Sequence, residues 1–216
     1  MGSLMYCAVA TRVDIVETVN RLCRVMHAPT KADLLKANRC LLYLKGTSSL
    51  GLTFNGEDGF KIFCDSNWAS AVEQRRSRSG WAILLNNAAI VFRALLQKCQ
   101  ALSTAEAEYV ALCAATQDAC FLIQMLQELG MPLNEPMIIY EDNQACIQNA
   151  AKDCSTAKLK HIDLRYHFTR TMVEAKKIKL TYCPTYHQAA DILTKPTDFL
   201  TFARHRATLM GLSSSS

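Results

Sequence analysis

The chain has 216 residues, half of them hydrophobic and a fifth charged, which excludes a disordered or fibrous chain and leaves room for one or two domains with a real core. Its 24 basic and 19 acidic residues give a net charge of +5, which permits a polyanionic partner without demanding one. Ten scattered cysteines with no C-x-x-C pair argue against a zinc site and read as free, mostly buried thiols in a reducing compartment.

In chain order, residues 1–58 read as helical and then extended. Ile15, Val16, Val19, Leu22 and Met26 recur at helical spacing until Pro29 stops them. Thr30, with Asp33 three later, offers an N-cap for a helix through Leu34, Leu41 and Leu44 that stops at Gly46. Gly51 to Phe54 reads as a short strand and Asn55-Gly56 as a turn. Arg21, Arg24, Lys36, Arg39 and Lys45 form a basic helical surface, either merely solvated or brushing a phosphate backbone.

A second unit starts near Gly59. Phe60 to Cys64 is a strand ending on Asp65; Gly80 to Leu85 and Ala89 to Phe92 complete a meander about an Asn86-Asn87 turn. A long helix runs from Ser103 to about Leu129, closed by Gly130 and Pro132. Met137 to Tyr140 is a fourth strand ending at Glu141-Asp142, followed by helices over Asn143 to Ala150 and Leu159 to Ala175. Ile178 to Tyr182 is a fifth strand, and Gln188 to Thr194 opens the final helix, with Asp191 in its first turns. The order is β-β-β-α-β-α-α-β-α. Ser213 to Ser216 reads as a solvated tail, and no signal peptide, membrane span or myristoylation start is read.

The start of the long helix holds two glutamates with different prospects. Ser103 is a good N-cap, and Glu106 three residues later can reach back to the Ser103 backbone N–H in a capping box. Glu108 has no such task, lies next to the apolar Tyr109, Val110 and Leu112, and has no basic partner at helical spacing. A carboxylate there is costly to desolvate unless a cation meets it. Asp65 and Asp142 stand at strand ends, and Asp191 near a helix start. Such places commonly share one crevice. Four converging carboxylates cannot all stay ionised without cations. Two divalent ions would neutralise them and suit phosphodiester hydrolysis, and all-oxygen ligation favours magnesium or manganese over zinc. Taken singly, each acid also has a plain role: Asp65 and Asp142 as turn or cap residues, Asp191 as a helix-start charge.

The combination resembles the ribonuclease H domain at the end of the copia-type retrotransposon polyprotein. The matching stretches are Cys64 to Ala69, Arg75 to Gly80, Leu102 to Leu112, Glu141 to Gln144, Lys160 to Phe168 and Ala190 to Pro196. The first segment matches too, through Gly2 to Tyr6, Ala8 to Arg12, Val19 to Leu22 and Tyr43 to Thr47, which in the family end the reverse transcriptase. The resemblance implies an α/β fold, a ribonuclease H-like mixed five-stranded sheet flanked by helices and preceded by a small, mainly helical segment. It divides the chain into a reverse-transcriptase remnant over 1–58, a nuclease domain over 59–198 and a tail over 199–216.

It further implies cutting of the RNA strand of an RNA–DNA hybrid, with Asp65, Glu108, Asp142 and Asp191 as catalytic, metal-binding acids for two Mg2+ ions, Mn2+ substituting. Arg76, Ser103, Asn143, Gln144, Lys160 and Arg165, all inside the matching stretches, are the expected substrate-binding residues. The expected partners are the hybrid and the missing reverse-transcriptase portion of the same polyprotein, with no membrane and no small-molecule cofactor. The expected location is intracellular: the cytosol or a virus-like particle, with the nucleus as alternative. No Tyr-x-Asp-Asp polymerase motif is present. Phe92 to Lys98 departs from the family's Trp followed by Ser-Lys-Lys-Gln. That departure supports an alternative reading, a decayed nucleic-acid-binding or interaction module. His161 and His167, six apart, are a poor metal pair on one helical face, and His187 reads as a surface residue or a proton shuttle near Asp191. Trp68 and Trp81 read as core or groove wall.

Overall fold

In the computed structural model, which describes residues 1–56, 59–71, 76–151 and 160–212, β2 (Arg76–Leu85) and β3 (Ala88–Leu96) are joined by Asn86 and Asn87. Both asparagines have positive φ, 48° and 68°, the left-handed pair that a two-residue hairpin needs and that Asn tolerates. β1 (Phe60–Ala71) lies antiparallel to β2, while β4 (Met137–Glu141) and β5 (Ile178–Tyr182) run parallel to β1 on its other side. The resulting five-stranded mixed sheet has the order β3-β2-β1-β4-β5, and the ribonuclease H-like fold is thereby present. The parallel pairs need crossovers, supplied by α4 (Thr104–Glu128), which carries the chain from β3 to β4, and by α5 (Gln144–Ala151) and α6 (Lys160–Glu174) between β4 and β5.

Each face of the sheet carries its own core. On one face α4 packs Tyr109, Leu112, Ala115, Ala119 and Leu122 against Ile62, Cys64, Trp81, Ile83 and Ile139. By length and composition α4 could cross a membrane, but half of that stretch is buried inside the fold. On the other face lie α1 (Gly2–Ala10), α2 (Val16–Arg24), α3 (Lys31–Gly46), α7 (Asp191–Thr194) and α8 (Phe199–Met210). There Leu4, Val13, Val16 and Val19 share one core with Phe63, Ala82, Leu84, Ile192, Leu193 and Leu209. Polar contacts reinforce the junction: Asn20 Nδ2 donates to the Ala94 carbonyl at 2.7 Å, and Arg206 Nη1 donates to Tyr43 Oη at 3.0 Å.

Several local expectations change. The Thr30–Asp33 capping box forms and α3 ends at Gly46. Residues 51–54 are not a strand: Thr53 N donates to the Met210 carbonyl at 2.8 Å, so this stretch runs against the end of α8 instead of a sheet edge. Part of the expected tail is helix α8. Asp198 caps it, accepting from Thr201 N at 3.0 Å, and His205, Leu209 and Met210 are buried. The Ser213–Ser216 run and the side chains of Lys160 and His161 lie outside the described residues.

Candidate metal centre

Asp65 was expected at a strand end, yet it lies inside β1, opposite Gly80 of β2. The reason is that β1 has two neighbours of different length. Its pairing with β4 covers only Lys61–Phe63 against Ile138–Tyr140, whereas its pairing with β2 continues to Ala71. Two residues beyond the last β4 pair, Asp65 therefore borders the crevice at the carboxyl end of the parallel strands, where α/β folds bind ligands. Asp142 follows β4 at the same crevice. It is not the cap of α5: Asn143 Oδ1 takes that task, accepting from Cys146 N at 3.1 Å. Asp142 accepts instead from the Thr185 hydroxyl at 2.8 Å.

Glu108 comes from the first turns of α4. Ser103 Oγ caps that helix by accepting from Glu106 N at 3.1 Å. Glu106 does not reach the Ser103 N–H as expected. It accepts from Leu102 N at 2.7 Å, satisfying the next amide outward. The two glutamates nevertheless differ in place: Glu106 is occupied at the helix end and Glu108 is buried in the crevice.

Ligand oxygens of Asp65, Glu108 and Asp142 all lie within 4.8 Å of one another. Asp191 is not in that group; it adjoins Asp65, and a lysine meets both. Lys195 Nζ lies 2.9 Å from Asp191 Oδ1 and 3.9 Å from Asp65 Oδ2. The Thr194 hydroxyl also donates to Asp65 Oδ2. These contacts require α7 to approach β2 closely. At Gly80 an added Cβ would stand 2.7 Å from both Leu193 Cβ and Thr194 Cγ2, so glycine is what lets the helix in.

The electrostatics are those of buried like charges. Burial, with Asp191 and Asp142 adding repulsion against the relief from Lys195, pushes the Asp65 carboxyl up to about 7. Burial and then the Asp65, Glu141 and Asp142 charges push Glu108 up to about 11. Asp191 is raised by burial, with Lys195 opposing. Burial disfavours the Lys195 ammonium, but Asp65 and Asp191 outweigh it and raise it overall. Glu108 Oε2 is buried and has no hydrogen-bond partner among the described residues. An orphaned carboxylate oxygen among converging all-oxygen donors fits a divalent cation.

The other expected residues divide. Arg76 Nε donates to the Gln97 carbonyl at 2.6 Å, bracing the β2 end. Arg165 Nη1 lies 3.4 Å from Cys99 Sγ. Ser103 and Asn143 serve as helix caps, and Gln144 is exposed at the start of α5. Lys160 starts α6, its side chain outside the described residues. His187 is exposed. Trp81 is buried and donates to Asp118 Oδ2 at 2.9 Å, whereas Trp68 is half exposed and donates to the Ala101 carbonyl at 3.0 Å.

Two residues escaped the sequence reading. Glu141 is fully buried, accepts from Cys64 Sγ at 3.1 Å and from Asn143 N at 3.1 Å, and is pushed by burial up to about 8. The alternation along β4, with Met137, Ile139 and Glu141 on the buried side, was the available signal. Lys195, four residues after Asp191, was visible as an i,i+4 pair.

No protein-family profile matches the chain. It is 37% identical over 196 residues to the retrovirus-related Pol polyprotein from transposon TNT 1-94 of Nicotiana tabacum, covering 90% of this chain and 15% of that protein. It is 34% identical over 208 residues to the corresponding polyprotein from transposon RE1 of Arabidopsis thaliana, covering 94% and 14%. Similar solved structures include LC11-RNase H1, isolated from compost (TM-score 0.48, 14% identity, 63% of this chain and 93% of that one). Another is the N-terminal RNase H domain of a Mycobacterium tuberculosis protein (TM-score 0.46, 14% identity, 63% and 90%). Both likenesses are distant, and the topology described above stands without them. The chain spans 14–15% of the length of the polyproteins it matches. By identity across nine-tenths of its length, the chain belongs to the retrovirus-related Pol polyproteins of transposons.

Proposed function

We propose that this segment is a metal-dependent ribonuclease H that hydrolyses the RNA strand of RNA–DNA hybrids. The observation that carries the reading is the meeting of Asp65, Glu108 and Asp142 within 4.8 Å at one crevice, with Asp191 tied in through Lys195. A structural role explains none of the three: the cap positions beside them are filled by Ser103, Glu106 and Asn143.

Asp65, Glu108 and Asp142 would hold one divalent ion, and Asp65 with Asp191 a second; magnesium is the ion proposed, with manganese as substitute. Such a pair supplies an activated water and stabilises the leaving oxygen of an in-line displacement. The protein's own part is to fix the carboxylates. β1 and β4 hold Asp65 and Asp142 on a sheet, and α4 brings Glu108 over it on a capped helix. Recognition of the hybrid rests on shape, phosphates and the 2′-hydroxyl, with Arg165, on α6 beside Cys99, as the candidate phosphate contact. Binding should be weakly sequence-dependent and fall steeply with salt. The reverse-transcriptase portion of the polyprotein is the proposed partner that delivers the hybrid.

The test is cleavage of an end-labelled hybrid by the full chain with magnesium, with and without EDTA, beside Asp142→Asn. Cutting that needs magnesium and vanishes in Asp142→Asn supports the reading. Cutting by the variant at the parent's rate would mark a contaminant. Hybrid binding without any cutting would favour the decayed module, for which Phe92 to Lys98 is the sequence argument.

A further inference from the structure

We propose that Lys195 is a resident cation of this site, a built-in competitor that holds the Asp65–Asp191 pair and makes divalent-ion binding stepwise. An ion shared by Asp65, Glu108 and Asp142 enters first, and an ion that needs both Asp65 and Asp191 enters only as Lys195 leaves. The proposal rests on the metal-dependent reading above.

Four observations support it. Among the described residues, the Lys195 ammonium lies within 4 Å of both carboxylates, at 2.9 Å from Asp191 Oδ1 and 3.9 Å from Asp65 Oδ2. The same Asp65 oxygen also receives the Thr194 hydroxyl, so its acceptor capacity is already engaged from the α7 side. Across the crevice the opposite holds, since Glu108 Oε2 is buried and has no donor among the described residues. The two halves of the acid set are thus unequal: Asp65 and Asp191 have a cation of the chain within 4 Å, although Asp191 Oδ1 makes no hydrogen bond among the described residues, and Glu108 Oε2 has no hydrogen-bond donor there. Finally, the Lys195 side chain is 35% exposed. Its flexible stem can swing the ammonium into water at small cost, whereas a fully enclosed lysine could not.

The physical reason for such a device is charge balance. Asp65 and Asp191 are both buried, and two desolvated carboxylates repel strongly unless a cation lies between them. A lysine one helical turn beyond Asp191 supplies that cation covalently, whatever the ionic conditions. Because the ammonium and a divalent ion claim the same oxygens, each weakens the other's hold there.

The experiment is titration of the full chain with Mn2+, free ion being counted by its electron paramagnetic resonance signal, for the parent, Lys195→Met and Lys195→Arg. The parent should bind two ions in separate steps, the second weaker by about tenfold or more, as expected for displacing one close ion pair. Lys195→Met should tighten the second step by about tenfold and leave the first within about twofold. Lys195→Arg, which keeps the charge, should retain the stepwise behaviour. Equal affinity for two ions in the parent overturns the proposal even if Lys195→Met does not fold. So does an unchanged second step in a folded Lys195→Met, or an equal change in both steps, which would mark a merely structural lysine. Absence of any Mn2+ binding to the parent would overturn the hydrolase reading as well.

Discussion

The two faces of the sheet deliver carboxylates in opposite ways. On one face a single 25-residue helix, α4, carries Glu108. Its start is closed by Ser103 and Glu106, and its body is anchored along Tyr109, Leu112 and Leu122. On the other face Asp191 begins a helix of four residues, far too short to be stable alone. That helix is held from outside: by Gly80 beneath it, by Thr194 and Lys195 reaching Asp65, and by a core in which Ile192 and Leu193 sit with Val13, Val16 and Val19. A long capped helix can position a catalytic group largely unaided. A single turn borrows its rigidity from neighbours, here including Val13, Val16 and Val19 near the start of the chain.

The largest effect should come from the residue both halves share. Asp65→Asn should lower magnesium-dependent cleavage by about a thousandfold, since several kcal/mol of transition-state stabilisation depend on the ligand. Its stability should move the other way. Burial raises the Asp65 carboxyl to about 7, and a permanently neutral amide removes a buried repulsion above that pH. The thermal midpoint in EDTA at alkaline pH should therefore rise in the variant. A fall in both activity and midpoint would show a structural aspartate.

Gly80→Ala tests the borrowed rigidity. Its Cβ would meet Leu193 Cβ and Thr194 Cγ2 at 2.7 Å. The steric cost should be about 1–3 kcal/mol by urea unfolding, typical of overpacking. Cleavage should fall more than stability alone explains, because α7 carries Asp191 and Lys195. Parental activity in a destabilised Gly80→Ala would mean that the site does not depend on where α7 sits.

A smaller effect follows from acidity. Asp65 is raised to about 7 and Glu141 to about 8, both above their ordinary carboxylate values, with burial as the main cause. Between the ordinary and the raised values the native chain binds more protons than the unfolded one, so stability falls as pH rises through that window. In EDTA the thermal midpoint should decline from about pH 5 to about pH 8, and magnesium, which binds the ionised form, should offset the decline progressively. A midpoint rising over this range would show these carboxyls ionised in the metal-free protein.

What could be read from the sequence tracks the same contrast. α4, the Asn86–Asn87 hairpin and the five strands were legible because cap, turn and periodic signals are local. α8 was not, although Asp198 and the left-handed Gly211 bracket it, since its buried Leu209 and Met210 acquire meaning from partners in the N-terminal segment. The length of β1 was hidden because Asp65, Ser66 and Asn67 carry little strand preference; main-chain pairing with Gly80, Ser79 and Arg78 extends it. Element order put four acids at one crevice, of which Asp65, Glu108 and Asp142 lie within 4.8 Å of one another. That Asp191 would reach them through Lys195 required the packing of α7 on Gly80, a contact between residues more than a hundred positions apart.

The smallest effect is the sharpest check on the α4 half. Glu106 and Glu108 are two residues apart on one helix, and only their surroundings separate them. Glu106 accepts from Leu102 N in a partly exposed cap, and an amide oxygen in Glu106→Gln can accept the same hydrogen bond. Its cost should stay at about 0.5 kcal/mol, within the range for cap changes, with cleavage within about twofold of the parent. Glu108→Gln keeps the side chain's shape but removes the carboxylate that faces Asp65 and Asp142, so it should lower cleavage by about a hundredfold, short of Asp65→Asn, while stabilising the metal-free protein. Comparable losses from the two substitutions would mean that the helix start as a whole, and not the single buried carboxylate, is what the site requires.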